Sequence, residues 1–304
     1  MSLIEQAAKR LDELRNAGVI LPDVSAEAPA APRAAVPAVA AAPAEPPQVE
    51  PPPRRVSARV DLDLARIADE GLVTPNEPRS PIAEQFRLIK RPLLGNVAKG
   101  GAGGIARANL IGVTSALPGE GKSFTSVNLA MSIAMELDRS VLLVDADIVR
   151  PSLPRMLGLP HGPGLLDLLG SPPTEFSRAL LRTNIDKLAF LGAGTLHPKA
   201  AEMLASDAML ALLEEVAARY SDRVIIFDTP PLLVTTESRV LASRMGQVVF
   251  VVRAGRTLQS EVRQALATVE ACPVKLMMLN GASNTSEGSY GYGSGYGYGY
   301  GEGA

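Results

Sequence analysis

Residues 115–123 read Ser115-Ala-Leu-Pro-Gly-Glu-Gly-Lys-Ser123 and stand between an apolar run and a helical pattern. Apart from Ala116 at the leading glycine position, this is the spacing of a phosphate-binding P-loop. Each residue type has a chemical task. Backbone N–H groups of a glycine-rich turn close around an anion, the helix N-terminus behind them adds its dipole, a lysine supplies a point charge, and a hydroxyl reaches Mg²⁺. Pro118, Gly119, Glu120, Gly121, Lys122, Ser123 and Phe124 are therefore the expected ATP-binding stretch, with Lys122 on the phosphates and Ser123 on the metal. A dinucleotide loop is excluded, because Phe124 stands where its third glycine would be needed.

Two further apolar runs end in carboxylates. Val141-Leu-Leu-Val-Asp-Ala-Asp-Ile-Val-Arg150 places Asp145 and Asp147 at or just past a strand end, and Val224-Ile-Ile-Phe-Asp228-Thr-Pro-Pro231 does the same for Asp228. In an open parallel sheet the ligand crevice lies beyond the carboxyl ends of the strands, so the three acids should meet the P-loop there. Four apolar residues followed by Asp form a Walker-B pattern, which assigns Asp228 to Mg²⁺. The expected cofactors are ATP and Mg²⁺; the catalytic set is Lys122, Asp145, Asp147 and Asp228, and the metal set Ser123, Asp145 and Asp228. Asp145 or Asp147 would orient or deprotonate an incoming hydroxyl.

The elements that must position these residues alternate. Apolar runs at 110–114, 141–144, 188–191, 224–227, 248–252 and 274–279 are separated by helical patterns, notably 121–137, 199–219 and 258–271. Continuous rather than alternating apolar strands imply a sheet covered on both faces, the mark of a doubly wound α/β domain with a mostly parallel sheet. The rest of the 304 residues divides by composition. Residues 1–20 have the spacing of an amphipathic helix, 21–58 form a Pro/Ala-rich linker expected to be flexible, 59–107 a helical segment, 108–284 the P-loop domain, and 285–304 a Gly/Tyr-rich tail expected to be disordered. A formal net charge of −2 gives no field that would draw the chain to nucleic acid. The single cysteine, Cys272, fits a reducing compartment, and no apolar stretch is long enough to span a bilayer, so a cytoplasmic protein is expected.

Taken together, the P-loop, the Asp-x-Asp strand end, Pro163-Gly-Leu-Leu-Asp-Leu-Leu169, Gly192-Ala-Gly194 and the Phe-Asp-Thr-Pro-Pro run resemble the bacterial tyrosine kinases of exopolysaccharide synthesis. Phe86-Arg-Leu-Ile-Lys-Arg-Pro-Leu-Leu94, the N-terminal segment and the Pro/Ala linker resemble the exosortase-associated tyrosine autokinases within that family. The resemblance implies phosphorylation of the chain's own C-terminal tyrosines, homo-oligomerisation through Glu84, Arg87 and Lys90, and a membrane chain-length-determinant-type activator. The chain would then sit peripherally at the inner membrane through that partner alone. Two positions depart from the family pattern: Val149 stands where Asp-x-Asp-x-Arg has its arginine, with Arg150 one residue later, and Lys90 replaces the last arginine of Glu-x-x-Arg-x-x-Arg.

The tail supports the same reading independently. Tyr290, Tyr292, Tyr296, Tyr298 and Tyr300 are five of the chain's six tyrosines, set among glycines as expected of tethered phosphoacceptors. Two alternatives remain open: a positioning-type ATPase that uses nucleotide as a dimer switch, and a regulatory subunit that binds ATP without turnover.

Overall fold

The computed structural model describes residues 57–100, 104–220 and 222–282. The helix expected at 1–20, nearly all of the linker and the tyrosine tail lie outside the described residues. In chain order, β1 (Ala58–Val60), α1 (Leu64–Asp69) and α2 (Pro81–Ala98) precede β2 (Leu110–Ser115) and α3 (Lys122–Ala134). Next come β3 (Ser140–Asp145), the short helices α4 (Leu153–Leu157), α5 (Leu165–Leu168) and α6 (Phe176–Ala179), then β4 (Leu180–Thr183) and β5 (Leu188–Leu191). The remainder is α7 (Ala200–Ala205), α8 (Asp207–Arg219), β6 (Arg223–Asp228), α9 (Thr236–Ser243), β7 (Gln247–Arg253), α10 (Gln259–Ala267) and β8 (Val274–Asn280).

The strands form one sheet in the order β1-β4-β5-β3-β6-β2-β7-β8, parallel throughout except where β4 meets β5. This is the expected doubly wound α/β P-loop fold. The central strands β2, β3 and β6 are almost wholly buried, because each face of the sheet carries its own apolar layer. Edge strand β8 departs from the continuous burial expected of it. Its residues alternate between exposed and half-buried, leaving Met277 and Leu279 facing solvent.

Three more differences have local causes. β1 and β4 are too short, at 3 and 4 residues, for a periodic signal to have shown them. The helix expected over 199–219 breaks at Ser206, whose hydroxyl instead accepts the Met209 N–H and caps α8. The segment 59–107 does not stand apart from the P-loop domain, since it supplies β1 to the same sheet and Phe86 and Leu93 to the same core.

Helix α2 starts where Ser80 caps it ahead of Pro81, and it packs against α3. Phe86 meets Phe124 edge to face at 6.4 Å, and Lys90, only 3% exposed, donates to Ser132 O at 2.5 Å while pairing with Glu136 at 2.7 Å. α3 is consequently buried on nearly every side, between the sheet and α2, which fixes the helix that carries the P-loop's lysine and serine.

Candidate active site

The loop between β2 and α3 turns through two left-handed glycines, Gly119 (φ +80°) and Gly121 (φ +99°), a conformation that a side chain would strain. A Cβ on Gly121 would lie 2.0 Å from the Asn280 side chain. That close approach is functional in form: Asn280 Nδ2, at the end of β8, donates to Glu120 O at 2.9 Å. The Glu120 carboxylate folds back on its own loop, accepting Leu117 N–H at 2.7 Å and the Thr257 hydroxyl. Glu120 and Asn280 thus brace the turn from inside and outside.

β2 lies between β6 and β7, and β6 lies against β3, so the P-loop and both carboxylate strand ends share one edge of the sheet. Asp145 and Asp228 are direct register partners. Lys122 Nζ stands 4.0 Å from Asp147 Oδ2. The segment after Asp228 is stitched to the start of the P-loop, with Leu232 N–H donating to Ser115 O and Thr229 Oγ1 to Val113 O. The residues assigned from sequence to catalysis are therefore brought together.

Burial dominates their electrostatics. Desolvation pushes the Asp228 carboxyl up to about 6, against the nearby Ser123 hydroxyl and Lys122 ammonium, which pull it down. Asp145 is raised well above the usual carboxylate range by burial and then by the Asp228 charge, although Asp147 N–H and Leu153 N–H donate to its two oxygens. Burial also raises Asp147, with Lys122 opposing. A cation beside these acids reverses the penalty.

The residues fit Mg-ATP on three observations. Asp228 Oδ2 is buried without a hydrogen-bond partner, Lys122 is buried with its ammonium 4.0 Å from Asp147 Oδ2 and near enough to Asp228 to lower it, and the loop turns through two positive-φ glycines of the kind that let backbone amides close on an anion. Among the described residues no three His, Cys, Asp or Glu side chains gather closely enough to hold a metal alone. Ser123 and Asp228 would hold Mg²⁺ only in part, the remaining ligands being phosphate oxygens and water, as Mg²⁺ favours.

Several expectations change. Lys90, assigned to contacts between copies, is buried and consumed by Glu136 and Ser132, because the face of α2 that carries Phe86 and Lys90 packs onto α3. Glu84 and Arg87 stay exposed, paired with each other at 2.8 Å, with Arg87 also donating to Pro78 O. Phe124 turns its ring to Phe86 rather than to the loop. Val149 is 60% exposed, while the Arg150 N–H donates to Asp147 Oδ1 and so helps set the acid. Ser126, not anticipated, donates to Asp228 Oδ1 at 3.1 Å. Its signal was present in the sequence, one helical turn after Ser123. Ser152 likewise donates to Ser123 Oγ at 2.8 Å, a contact between distant segments that local spacing does not encode.

A family model described as ParA: NUBPL iron-transfer P-loop NTPase matches residues 106–277. Tyrosine-protein kinase YwqD of Bacillus subtilis (strain 168) is 31% identical over 223 residues, covering 72% of this chain and 90% of that protein. The chain belongs to the bacterial tyrosine-protein kinase family. Tyrosine-protein kinase ptk of Acinetobacter johnsonii is 34% identical over 185 residues, and there the chain spans only 25% of the relative's length. The solved structure of the chimerical protein CapA2B2 superposes with a TM-score of 0.58 at 28% identity, covering 73% of this chain and 93% of that one. Among the described residues no helix is long and apolar enough to cross a membrane.

Proposed function

We propose that the chain is an ATP-dependent protein-tyrosine autokinase that phosphorylates Tyr290, Tyr292, Tyr296, Tyr298 and Tyr300 of a neighbouring copy, and so regulates polymerisation or export of an exopolysaccharide. The observation that carries this reading is the convergence of Lys122 with three buried acids, Asp145, Asp147 and Asp228, at one sheet edge. Phosphoryl transfer needs positioning and charge neutralisation more than covalent chemistry.

Lys122 and the loop amides hold the β- and γ-phosphates and draw charge off them. Ser123 and Asp228 hold Mg²⁺, which when bound neutralises the phosphate oxygens. The Asp145/Asp147 pair orients the phenol and takes its proton; a carboxylate raised toward neutral pH is a stronger base than an ordinary one. Glu120, Thr257 and Asn280 keep the amides aimed. The proposed organisation retains the N-terminal helix at 1–20, the linker at 21–58, a contact between copies through Glu84 and Arg87, and the tail at 285–304 as substrate. A membrane chain-length-determinant-type protein is the proposed activator.

Mass spectrometry after incubation with Mg-ATP should find phosphate on residues 290–300, and none in Lys122→Ala. Mixing Lys122→Ala with a chain whose five tail tyrosines are Phe tests transfer between copies. Label on the Lys122→Ala chain supports it, and an unlabelled mixture overturns it. Release of free phosphate without labelled protein would instead favour the positioning ATPase.

A further inference from the structure

At the end of the sheet away from the P-loop, a groove of about 520 Å³ is lined by Arg59, Arg182 and Arg223 together with Ser140 and Tyr220. Arg59 and Arg182 are register partners on β1 and β4, so two guanidinium-bearing residues stand side by side about 4.8 Å apart at Cα. Like charges directly across a ladder oppose each other. Arg223 opens β6, with its guanidinium carbon 4.7 Å from the centroid of the Tyr220 ring and its Nε buried without an acceptor. Among the described residues none of the three forms an ion pair. Lys187, at the same groove, is not part of this surplus, since its ammonium is taken by Glu136 O and Leu137 O. Asp186 is the acid on the lining.

We infer that this groove binds a phosphate monoester, and that its occupant is a phosphotyrosyl group of the chain's own phosphorylated tail. Guanidinium groups pair with phosphate bidentately, and clusters of arginines are a recurrent means of recognising phosphorylated peptides. The concavity suits a side chain rather than a flat lipid surface, and Tyr220 offers a ring beside the cations for an aromatic ester. The inference rests on the proposed autokinase activity for the origin of the ligand. The acidic active site cannot keep the product, and this groove on the opposite end of the sheet has the complementary charge. Reach is sufficient. From Ala282 to Tyr300 is eighteen residues, about 60 Å extended, against a sheet of eight strands about 34 Å wide whose strands are about 20 Å long, a diagonal of about 40 Å.

The test uses full-length Lys122→Ala chain and a fluorescent synthetic peptide of residues 289–304, with or without phosphate on Tyr296, Tyr298 and Tyr300, followed by anisotropy. The phosphopeptide should bind at least tenfold more tightly than the unmodified one. Arg59→Gln with Arg182→Gln should erase that difference, and Arg182→Lys should weaken binding because lysine lacks the fork. Thermal unfolding of each variant confirms the fold, and slowed amide exchange at residues 180–189 of the Lys122→Ala chain locates the peptide without further substitution of the groove. Equal binding of both peptides, or phosphopeptide affinity indifferent to the arginines, overturns the inference. Competition by inorganic phosphate supports the shared chemistry, whereas arginine-dependent binding to phosphatidylglycerol vesicles with no phosphopeptide binding reassigns the groove to a membrane and overturns it. Since the peptide's phosphate is installed by synthesis, these outcomes are separate from whether the chain phosphorylates itself.

Discussion

β3 and β6 run side by side from Ser140 opposite Arg223 to Asp145 opposite Asp228, and the two ends of this pair hold charge on opposite terms. At the carboxyl end the acids are buried, and burial raises all three of Asp145, Asp147 and Asp228. At the amino end Arg59 and Arg182 are exposed and Arg223 half-buried. A buried carboxylate stays charged only beside a cation or several donors, so that end is under tension until Mg²⁺ and phosphate arrive. An exposed guanidinium stays charged in water, so the amino end waits for an anion at little cost. The proposed phosphoryl transfer takes place at the end where removing water magnifies every charge.

The largest break in this contrast is Lys122→Ala. Losing the buried cation that opposes both Asp147 and Asp228 should lower phosphate transfer to the tail by at least 10³-fold, about 4 kcal/mol at the transition state. Asp228→Asn should match it. Quantitative phosphotyrosine mass spectrometry reads both, and near-parental transfer by Lys122→Ala would show that the carboxyl end is not the nucleotide end.

The next effect is on stability. Asp228 titrates near 3.8 when unfolded and near 6 when folded. Between those values the folded chain holds a proton that the unfolded chain has released, so stability falls as pH rises from about 4 to 6. A shift of about two units corresponds to ~3 kcal/mol. Nucleotide-free Asp228→Asn should show a shallower slope and unfold at a higher temperature than the parent at pH 8, while saturating Mg-ATP should stabilise the parent more. A parent chain whose unfolding temperature is flat from pH 4 to 7 contradicts the burial argument.

Much of the carboxyl end was legible because its motifs are local. Lys122 and Ser123 follow the loop, and Asp145 and Asp228 end continuous apolar runs, so strand topology alone brings them together. The amino end was illegible for the converse reason. Arg59, Arg182 and Arg223 are separated by more than a hundred residues at the first step, and β1 and β4 are too short to announce themselves. Lys90 failed differently. Its spacing from Glu84 and Arg87 places it on α2, but helical spacing says nothing about which face α3 will cover.

Lys90 also sharpens the contrast, being a cation treated as the acids are, buried and obliged to pair. Lys90→Ala should destabilise the chain by about 2 kcal/mol, below the ~3–5 of a fully buried pair because Glu136 keeps 28% exposure. Lys90→Met should recover part of that loss by refilling the stem's volume. Urea midpoints at constant m-value decide; full recovery in Lys90→Met would mean that the side chain contributes packing alone, and no change in Lys90→Ala that it contributes nothing net.

The smallest effect comes from the arginines themselves. If Arg59 and Arg182 repel across β1 and β4, then Arg59→Gln and Arg182→Gln should each stabilise the ligand-free chain slightly, by a few tenths of a kcal/mol. The double variant should gain no more than either single one, because the first substitution already removes the repulsion. That non-additivity is the signature of a direct contact rather than of two independent surface effects. It should vanish at about 1 M salt, where the Debye length falls to ~3 Å, shorter than the separation of the two charges. It should reverse when the tail is phosphorylated or phosphotyrosine is added, since the anion turns mutual repulsion into shared attraction. Stabilities that add at every ionic strength would show two arginines pointing apart, and would leave the amino end an ordinary solvated surface.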